Sequence, residues 1–227
     1  MINGTIEQNA IWEAIEHGEG HVIVNAGAGT GKTFTIVEGA NRIGDKKAAF
    51  LAFNKSIATE LQKKLPNEVE AKTFHAFGFA ALRNAGIKTK VNNFKVNNII
   101  GELLGKDYFV TPLKKLVSLV KGAMYDGTNT SEIRSLIDEY NIQFQSEREE
   151  QQAITSIPAI LKQCSIQTHM IDFDDMIWLP LVNNYPLPHY DIMFVDEAQD
   201  FNEAQRELIS RCVNGGRCII VGDKNQA

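Results

Sequence analysis

Eight residues, Ala26-Gly27-Ala28-Gly29-Thr30-Gly31-Lys32-Thr33, stand between the apolar run His21-Val22-Ile23-Val24-Asn25 and a helix-forming stretch from Phe34 to Ile43. A segment so poor in side chains, passing from a strand into a helix N-terminus, turns successive backbone N–H groups toward one anion. The helix dipole there favours negative charge as well. Lys32 is placed to reach the β- and γ-phosphates of a nucleotide as a point charge, and the Thr33 hydroxyl to ligate Mg²⁺. The usual pattern opens on Gly, and Ala26 stands there instead. Glycine-rich tracts are often plain turns, but a strand before and a helix after give this one the form of a phosphate cradle.

The surrounding pattern extends that unit. Thr5-Ile6-Glu7-Gln8 opens an amphipathic run through Ile15, with Thr5 as N-cap and Gln8 at the capping-box position. After the strand Val22–Asn25 and the helix Lys32–Ile43, a second apolar strand, Ala48–Phe53, leads into a helix Lys55–Leu65 closed by Pro66. A third strand, Val69–Lys72, precedes a helix Phe74–Ala85 that Gly86 stops. Strands alternating with helices predict an α/β fold with a parallel, doubly wound sheet. From Lys88 to Gln167 the alternation gives way to helices around Val96–Leu104, Pro112–Met124, Ser131–Tyr140 and Ser146–Cys164, with a loop at Gly127–Thr130. Sheet-like sequence returns at Asp191–Val195, followed by a helix Asn202–Val213 and a strand Arg217–Val221. The expected organisation is a discontinuous core, residues 1–87 and 168–227, carrying an inserted all-α subdomain, residues 88–167.

Composition excludes several classes. With 227 residues and 44% hydrophobic content the chain can bury a sizeable core. Cys164, Cys212 and Cys218 are an odd set without C-x-x-C spacing, which indicates neither a disulfide framework nor a zinc site and fits a reducing, intracellular setting. The N-terminus lacks a basic and then apolar leader, and no run approaches a membrane span, so neither export nor membrane anchoring is expected. A net charge of −5 argues against coating nucleic acid through bulk positive charge. The lysines nevertheless cluster, at Lys55, Lys63, Lys64 and Lys72 and again from Lys88 to Lys121, although any single one of them reads first as a solvated helix face.

A second acidic element completes the pattern. The strand ending at Val195 runs into Asp196-Glu197-Ala198-Gln199-Asp200, two adjacent carboxylates at the carboxyl end of a strand, where ligands of open α/β sheets collect. Asp196 would hold Mg²⁺ directly or through water, and Glu197 would polarise the water that attacks the γ-phosphate. The bland alternative is an acidic loop capping the following helix. The last strand enters Gly222-Asp223-Lys224-Asn225-Gln226, where Gln226 could contact a γ-phosphate, although Gly-Asp after a strand is commonly a turn.

Taken together these motifs resemble the UvrD/Rep-like helicases of superfamily one over essentially the whole chain. Thr5 and Gln8 are similar to the adenine-reading glutamine motif of that family, and Ala26–Thr33 to its A-x-A-G-x-G-K-T loop. Phe53-Asn54-Lys55-Ser56 and Thr73-Phe74-His75 resemble its first two strand-binding motifs, and Asp172-Phe173-Asp174-Asp175 the segment that returns from the helical insertion. Asp196–Asp200 matches D-E-x-Q-D, and Val221–Gln226 matches V-G-D-x-x-Q. The resemblance implies a RecA-like P-loop NTPase core and the ATP-binding motor domain of a DNA helicase. Such a motor couples ATP and Mg²⁺ chemistry to translocation on single-stranded DNA, 3′ to 5′, in the cytoplasm or at the nucleoid. It also implies catalytic roles for Lys32, Glu197 and Gln226, nucleotide contacts from Gln8 and Ala26–Thr33, metal ligation by Thr33 and Asp196, and strand contacts from Phe53, Asn54, Lys55, Thr73, Phe74 and His75. Aromatic faces stack on bases without demanding sequence. Phe74 and Phe77 read equally as the core face of a helix, and His75 equally as a buried linker.

Two departures bear on activity. Phe34 stands where many relatives carry an Arg that helps hold the nucleotide. The sequence given ends at Ala227, before the second RecA-like domain whose arginines contact the γ-phosphate in the family. Loss of such groups lowers turnover by roughly 10³-fold or more in P-loop enzymes, so weak nucleotide binding and negligible turnover are expected of these residues alone. Two other readings stay open: an RNA helicase of the DEAD-box kind, whose third motif reads S-A-T rather than Gly222-Asp223-x-x-Gln226, and a non-catalytic nucleotide-binding module acting as a scaffold.

Overall fold

The computed structural model describes residues 4–27, 30–105, 110–196 and 198–222, with Gln199 described by its backbone alone. The chain divides into two compact units, one of Met1–Phe77, Pro188–Phe201 and Ile209–Ala227, the other of Gly78–Leu187 and Asn202–Leu208. Among the described residues no helix is long and apolar enough to cross a membrane.

The first unit is built on a five-stranded parallel sheet with the order β1-β7-β6-β2-β3. Its strands are β1 (Val22–Asn25), β2 (Ala48–Ala52), β3 (Val69–Thr73), β6 (Ile192–Asp196) and β7 (Arg217–Gly222). Every residue of β2 is buried, as are the first four of β6, and their unbroken apolar sequences are what a strand covered on both faces requires. The core runs from Ile36 and Ala40 across Phe50, Phe194 and Ile219, with the Phe50 and Phe194 rings stacked 6.2 Å apart.

Helices of this unit start where the sequence places them, and two of them stop sooner. α1 (Ile6–His17) opens with the full Thr5–Gln8 capping box, and α3 (Lys55–Gln62) is capped by Asn54, whose side chain accepts the Ile57 N–H at 2.9 Å. α2 (Lys32–Ala40) ends before the expected Ile43, and α3 before Leu65. In both, tight i to i+3 hydrogen bonds close the last turn: Arg42 N–H to the Gly39 carbonyl at 3.1 Å, and Lys64 N–H to Leu61 at 2.9 Å. α1 is fastened by its buried Trp12 and Ile15. The Arg217 guanidinium adds hydrogen bonds to the carbonyls of Ala14, Ile15 and Gly20 at 2.7, 3.0 and 2.8 Å, filling acceptors that a helix C-terminus leaves open.

The second unit is helical. It contains most of α4 (Phe74–Asn84), then α5 (Lys95–Leu104), α6 (Val110–Gly122), α7 (Thr130–Glu139), α8 (Glu147–Ile166) and α9 (Phe173–Val182). A parallel pair, β4 (Lys90–Val91) and β5 (Met170–Ile171), joins its ends, and most of α10 (Glu203–Cys212) also belongs here. It is wider than the insertion 88–167 expected from sequence. Leu82 of α4 and Met176, Trp178 and Leu179 of α9 share one core with Ile99, Leu116 and Ile157. At Gly78 an added Cβ would lie 1.9 Å from the Met176 carbonyl oxygen, so only glycine allows this approach of α4 to α9.

A buried charge cluster pins α9. Lys95 Nζ lies 2.6 Å from Asp175 Oδ2, and Lys121 Nζ lies 2.8 Å from Asp175 Oδ1 and 3.0 Å from Asp172 Oδ2. Lys95 also donates to the Cys164 carbonyl at 2.7 Å, and Asp172 accepts the Asp175 N–H in a second capping box. Burial alone would lower the pKa of Lys121, but the Asp175 and Asp172 carboxylates outweigh it and raise the pKa above the ordinary lysine value. Removing one member of such a cluster leaves a buried charge without its partner. Asp175→Asn is therefore expected to destabilise the chain by about 3–5 kcal/mol, read from urea unfolding. Burial also pushes the thiols of Cys164, Cys212 and Cys218 up to about 11, 12 and 11. All three should be silent to a thiol-titrating reagent at pH 8 in the native chain and react once it is unfolded.

Candidate functional site

Parallel pairing places the carboxyl ends of all five strands along one edge, and the register fixes their order. Val24 of β1 is level with Val221 of β7, which is level with Asp196 of β6. Two strand spacings, about 10 Å, therefore separate the start of the glycine-rich loop from the Asp196 row. On the other side of β6, Val195 is level with Leu51, and Ala52 of β2 with Thr73 of β3. Phe53 and Thr73 thus continue the edge that begins at Asn25.

At the β1 end, the Ala26 N–H donates to the Gly222 carbonyl at 3.0 Å and carries the β1–β7 ladder to the mouth of the loop. The Gly27 carbonyl accepts the Thr30 hydroxyl at 2.8 Å. Gly31 has φ +81°, a left-handed conformation that suits glycine, and as N-cap it offers α2 no capping side chain. Beside it lies a cavity of about 620 Å³ lined by Gly31, Lys32, Thr33, Phe34, Val37 and Lys64. An uncapped helix N-terminus beside a cavity lined by Lys32 fits a polyphosphate, and Lys64 reaches the same cavity in an ion pair with Glu60. The hydroxyl of Thr33 and the half-buried carboxylate of Asp196 are hard oxygen donors of the kind Mg²⁺ takes. Lys64 was not expected here. It lies far from the loop in sequence, and only the packing of α3 brings it to this cavity. Ala28, Gly29, Glu197 and Gln226, all singled out by sequence, lie outside the described residues.

Gln8, expected to read a base, is half-buried beside the loop, 3.7 Å from where a Cβ on Gly31 would stand. Its Oε1 accepts the Thr5 N–H at 3.0 Å, and its Nε2 donates to the Thr35 hydroxyl at 3.2 Å. The Trp12 indole donates to the Thr35 carbonyl at 2.8 Å, and the Phe34 ring meets Trp12 edge-on at 6.2 Å. Phe34, which replaces the expected Arg, is thereby a wall of the cavity.

The residues expected to contact a strand gather at the β2–β3 end. The Phe53 ring is 61% exposed, Lys55 opens α3, and Thr73 Oγ1 accepts the Ala76 N–H at 3.2 Å at the start of α4. His75 is half-buried in the first turn of α4. Phe74 is not at the surface: it is 3% exposed and packs edge-on against Phe201 at 4.7 Å. Phe77 is likewise buried, against Tyr190. Between α3 and β3 lies a second cavity of about 610 Å³, whose lining includes Lys55, Thr59, Lys63, Lys72 and Thr73. Thr59, Lys63 and Lys72 are additions that the sequence flagged at most as part of a lysine cluster. Gln62 seats α3 on this edge strand, its amide accepting the Ala71 N–H at 2.7 Å and donating to the Val69 carbonyl at 3.2 Å.

The sheet order, the left-handed glycine and the bare helix start together define a RecA-like, P-loop class of nucleotide-binding domain. A family profile for the UvrD/REP helicase N-terminal domain matches residues 7–227, and the chain belongs to that family. Among curated proteins it is 26% identical to F-box DNA helicase 1 of Gallus gallus over 97% of this chain and 23% of that protein. It is 26% identical to the ATP-dependent DNA helicase Rep of Buchnera aphidicola over 94% of this chain and 36% of that protein. To the ATP-dependent DNA helicase PcrA of Leuconostoc citreum it is 24% identical over 100% of this chain and 33% of that protein. The chain thus spans between 23% and 36% of the length of these relatives.

The contrast between two aromatic residues is directly measurable. Phe74→Ala should cost about 3–5 kcal/mol of stability, as core phenylalanines do. Phe53→Ala should change stability by no more than about 0.5 kcal/mol in the same denaturant titration.

Proposed function

We propose that this chain is the ATP-binding motor domain of a DNA helicase that couples ATP hydrolysis to 3′-to-5′ translocation on single-stranded DNA and to duplex unwinding. The observation that carries the reading is the sheet register, which sets the phosphate loop and Asp196 on the same edge as Phe53, Lys55 and Thr73. The relatives' names, all DNA helicases, favour DNA over RNA as the track.

In this reading Lys32 binds the β- and γ-phosphates at the start of α2, and Gln8 reads the adenine. Thr33 and Asp196 hold Mg²⁺, which when bound neutralises charge on those phosphates. Glu197 accepts a proton from the attacking water, and Gln226 contacts the γ-phosphate. At the other end Phe53 stacks on a base while the starts of α3 and α4, at Asn54 and Thr73, face the strand's phosphates. β6 and β2 are neighbours, so a single strand pair lies between the Asp196 and Phe53 ends of the edge. A second RecA-like domain closing on this edge supplies the arginines that complete the phosphate site.

In the full-length protein Lys32→Ala should abolish ATP binding. Glu197→Gln should leave ATP binding within about two-fold while lowering single-strand-stimulated hydrolysis by about 10²–10⁴-fold. Hydrolysis that survives Glu197→Gln would remove the water-activating role, and ATP binding that survives Lys32→Ala would remove the phosphate site.

A further inference from the structure

Three hydrogen bonds run in series from the N-cap of α1 to the phosphate loop. The Thr5 N–H donates to Gln8 Oε1 at 3.0 Å, Gln8 Nε2 donates to Thr35 Oγ1 at 3.2 Å, and Thr35 Oγ1 donates to the Gly31 carbonyl at 3.1 Å. The direction of the series is forced. A backbone N–H can only donate, so the amide atom facing Thr5 is the oxygen, and the nitrogen therefore faces Thr35. The Thr35 proton is engaged with a carbonyl, which can only accept, so its oxygen is left to accept from Gln8. Thr35 is 4% exposed and held from a second side by the Trp12 indole on its carbonyl, so its hydroxyl is a fixed point.

We infer that Thr35 is a positioning residue for base selection: its hydroxyl holds the nitrogen end of the Gln8 amide, whose orientation the Thr5 N–H sets, at the place from which it reads a 6-amino purine. The inference rests on the proposal that Gln8 reads the base. With the amide held at both ends, Gln8 retains one N–H and one oxygen lone pair, its nitrogen 3.7 Å from where a Cβ on Gly31 would stand. That donor–acceptor pair matches adenine, whose N7 accepts and whose 6-amino group donates. A 6-oxo purine presents two acceptors on the same edge, so one contact is lost. An amide held at its oxygen alone can swing about the Thr5 contact, so its N–H no longer meets the base at a fixed place and discrimination falls. The sequence around Thr35 carries no mark of this role, since a threonine one turn into a helix commonly bonds back to the preceding carbonyl.

The test is isothermal titration of the full-length protein with ATP and with ITP, which differ only at C6 and N1 of the base. The parental chain should prefer ATP by about 10-fold, the worth of one well-oriented hydrogen bond. Thr35→Val, close to isosteric and leaving the Trp12 contact to the backbone intact, should bring the ratio within about two-fold by weakening ATP while ITP affinity holds. Thr35→Ser, which restores the hydroxyl, should restore the preference, a result that a packing role would not produce. Gln8→Ala separates the two layers. If it abolishes the preference and Thr35→Val does not, the lock is wrong and base reading by Gln8 stands. If Gln8→Ala leaves the preference unchanged, or the parental chain shows none, base reading fails and the lock with it. Should Thr35→Val melt earlier in circular dichroism, Thr35→Ser decides alone: a preference lost with the hydroxyl present overturns the inference.

Discussion

Parallel pairing of β1, β7, β6, β2 and β3 is the constraint on which everything else in the first unit depends. Parallel strands cannot be joined by tight turns, so each connection crosses back over a face of the sheet and each helix begins at the carboxyl edge. The starts of α2, α3 and α4, with their N–H groups and positive dipole ends, are therefore collected on one line. β2→β3 steps to one side and β6→β7 to the other, so the chain reverses between the neighbouring strands β6 and β2, where an open sheet presents its crevice.

The helix starts are finished differently. α1 and α9 carry full capping boxes, α3 is capped by Asn54, and α2 begins from a left-handed glycine with no side chain to offer. The bare start is the one beside a cavity with two lysines. α1 is held hard at its far end by Arg217 and at its middle by Trp12, and that rigidity keeps Gln8 against Gly31.

In the helical unit the corresponding anchor is electrostatic. Lys95, Lys121, Asp172 and Asp175 form a buried cluster of two cations and two anions, each satisfied by another. It explains why the Asp172-Phe173-Asp174-Asp175 segment begins a helix. α9 itself escaped the sequence reading because Met176–Leu181 is buried all round and so has no polar stripe to betray a helical period. The β4–β5 pair escaped it because two-residue strands carry no alternation. Phe74 and Phe53 show the same limit from the other side. Both are aromatic residues at strand–helix junctions, and only the position of Phe201 decides that one ring is core and the other surface.

The sequence by itself determined the strand–loop–helix unit around Gly31 and Lys32, the capping of α1, the carboxylate at the end of β6 and the alternation that makes a parallel sheet. These are local: a backbone dihedral, a cap or a buried run is set by residues within a turn or two of one another. Tertiary structure alone decided the strand order, the arrival of Lys64 at the cavity beside Gly31, the burial of Phe74 and the bond from Gln8 to Thr35. Each depends on which side chains meet after the chain has crossed the sheet, and that is settled by packing over long sequence separations, where periodicity carries no information.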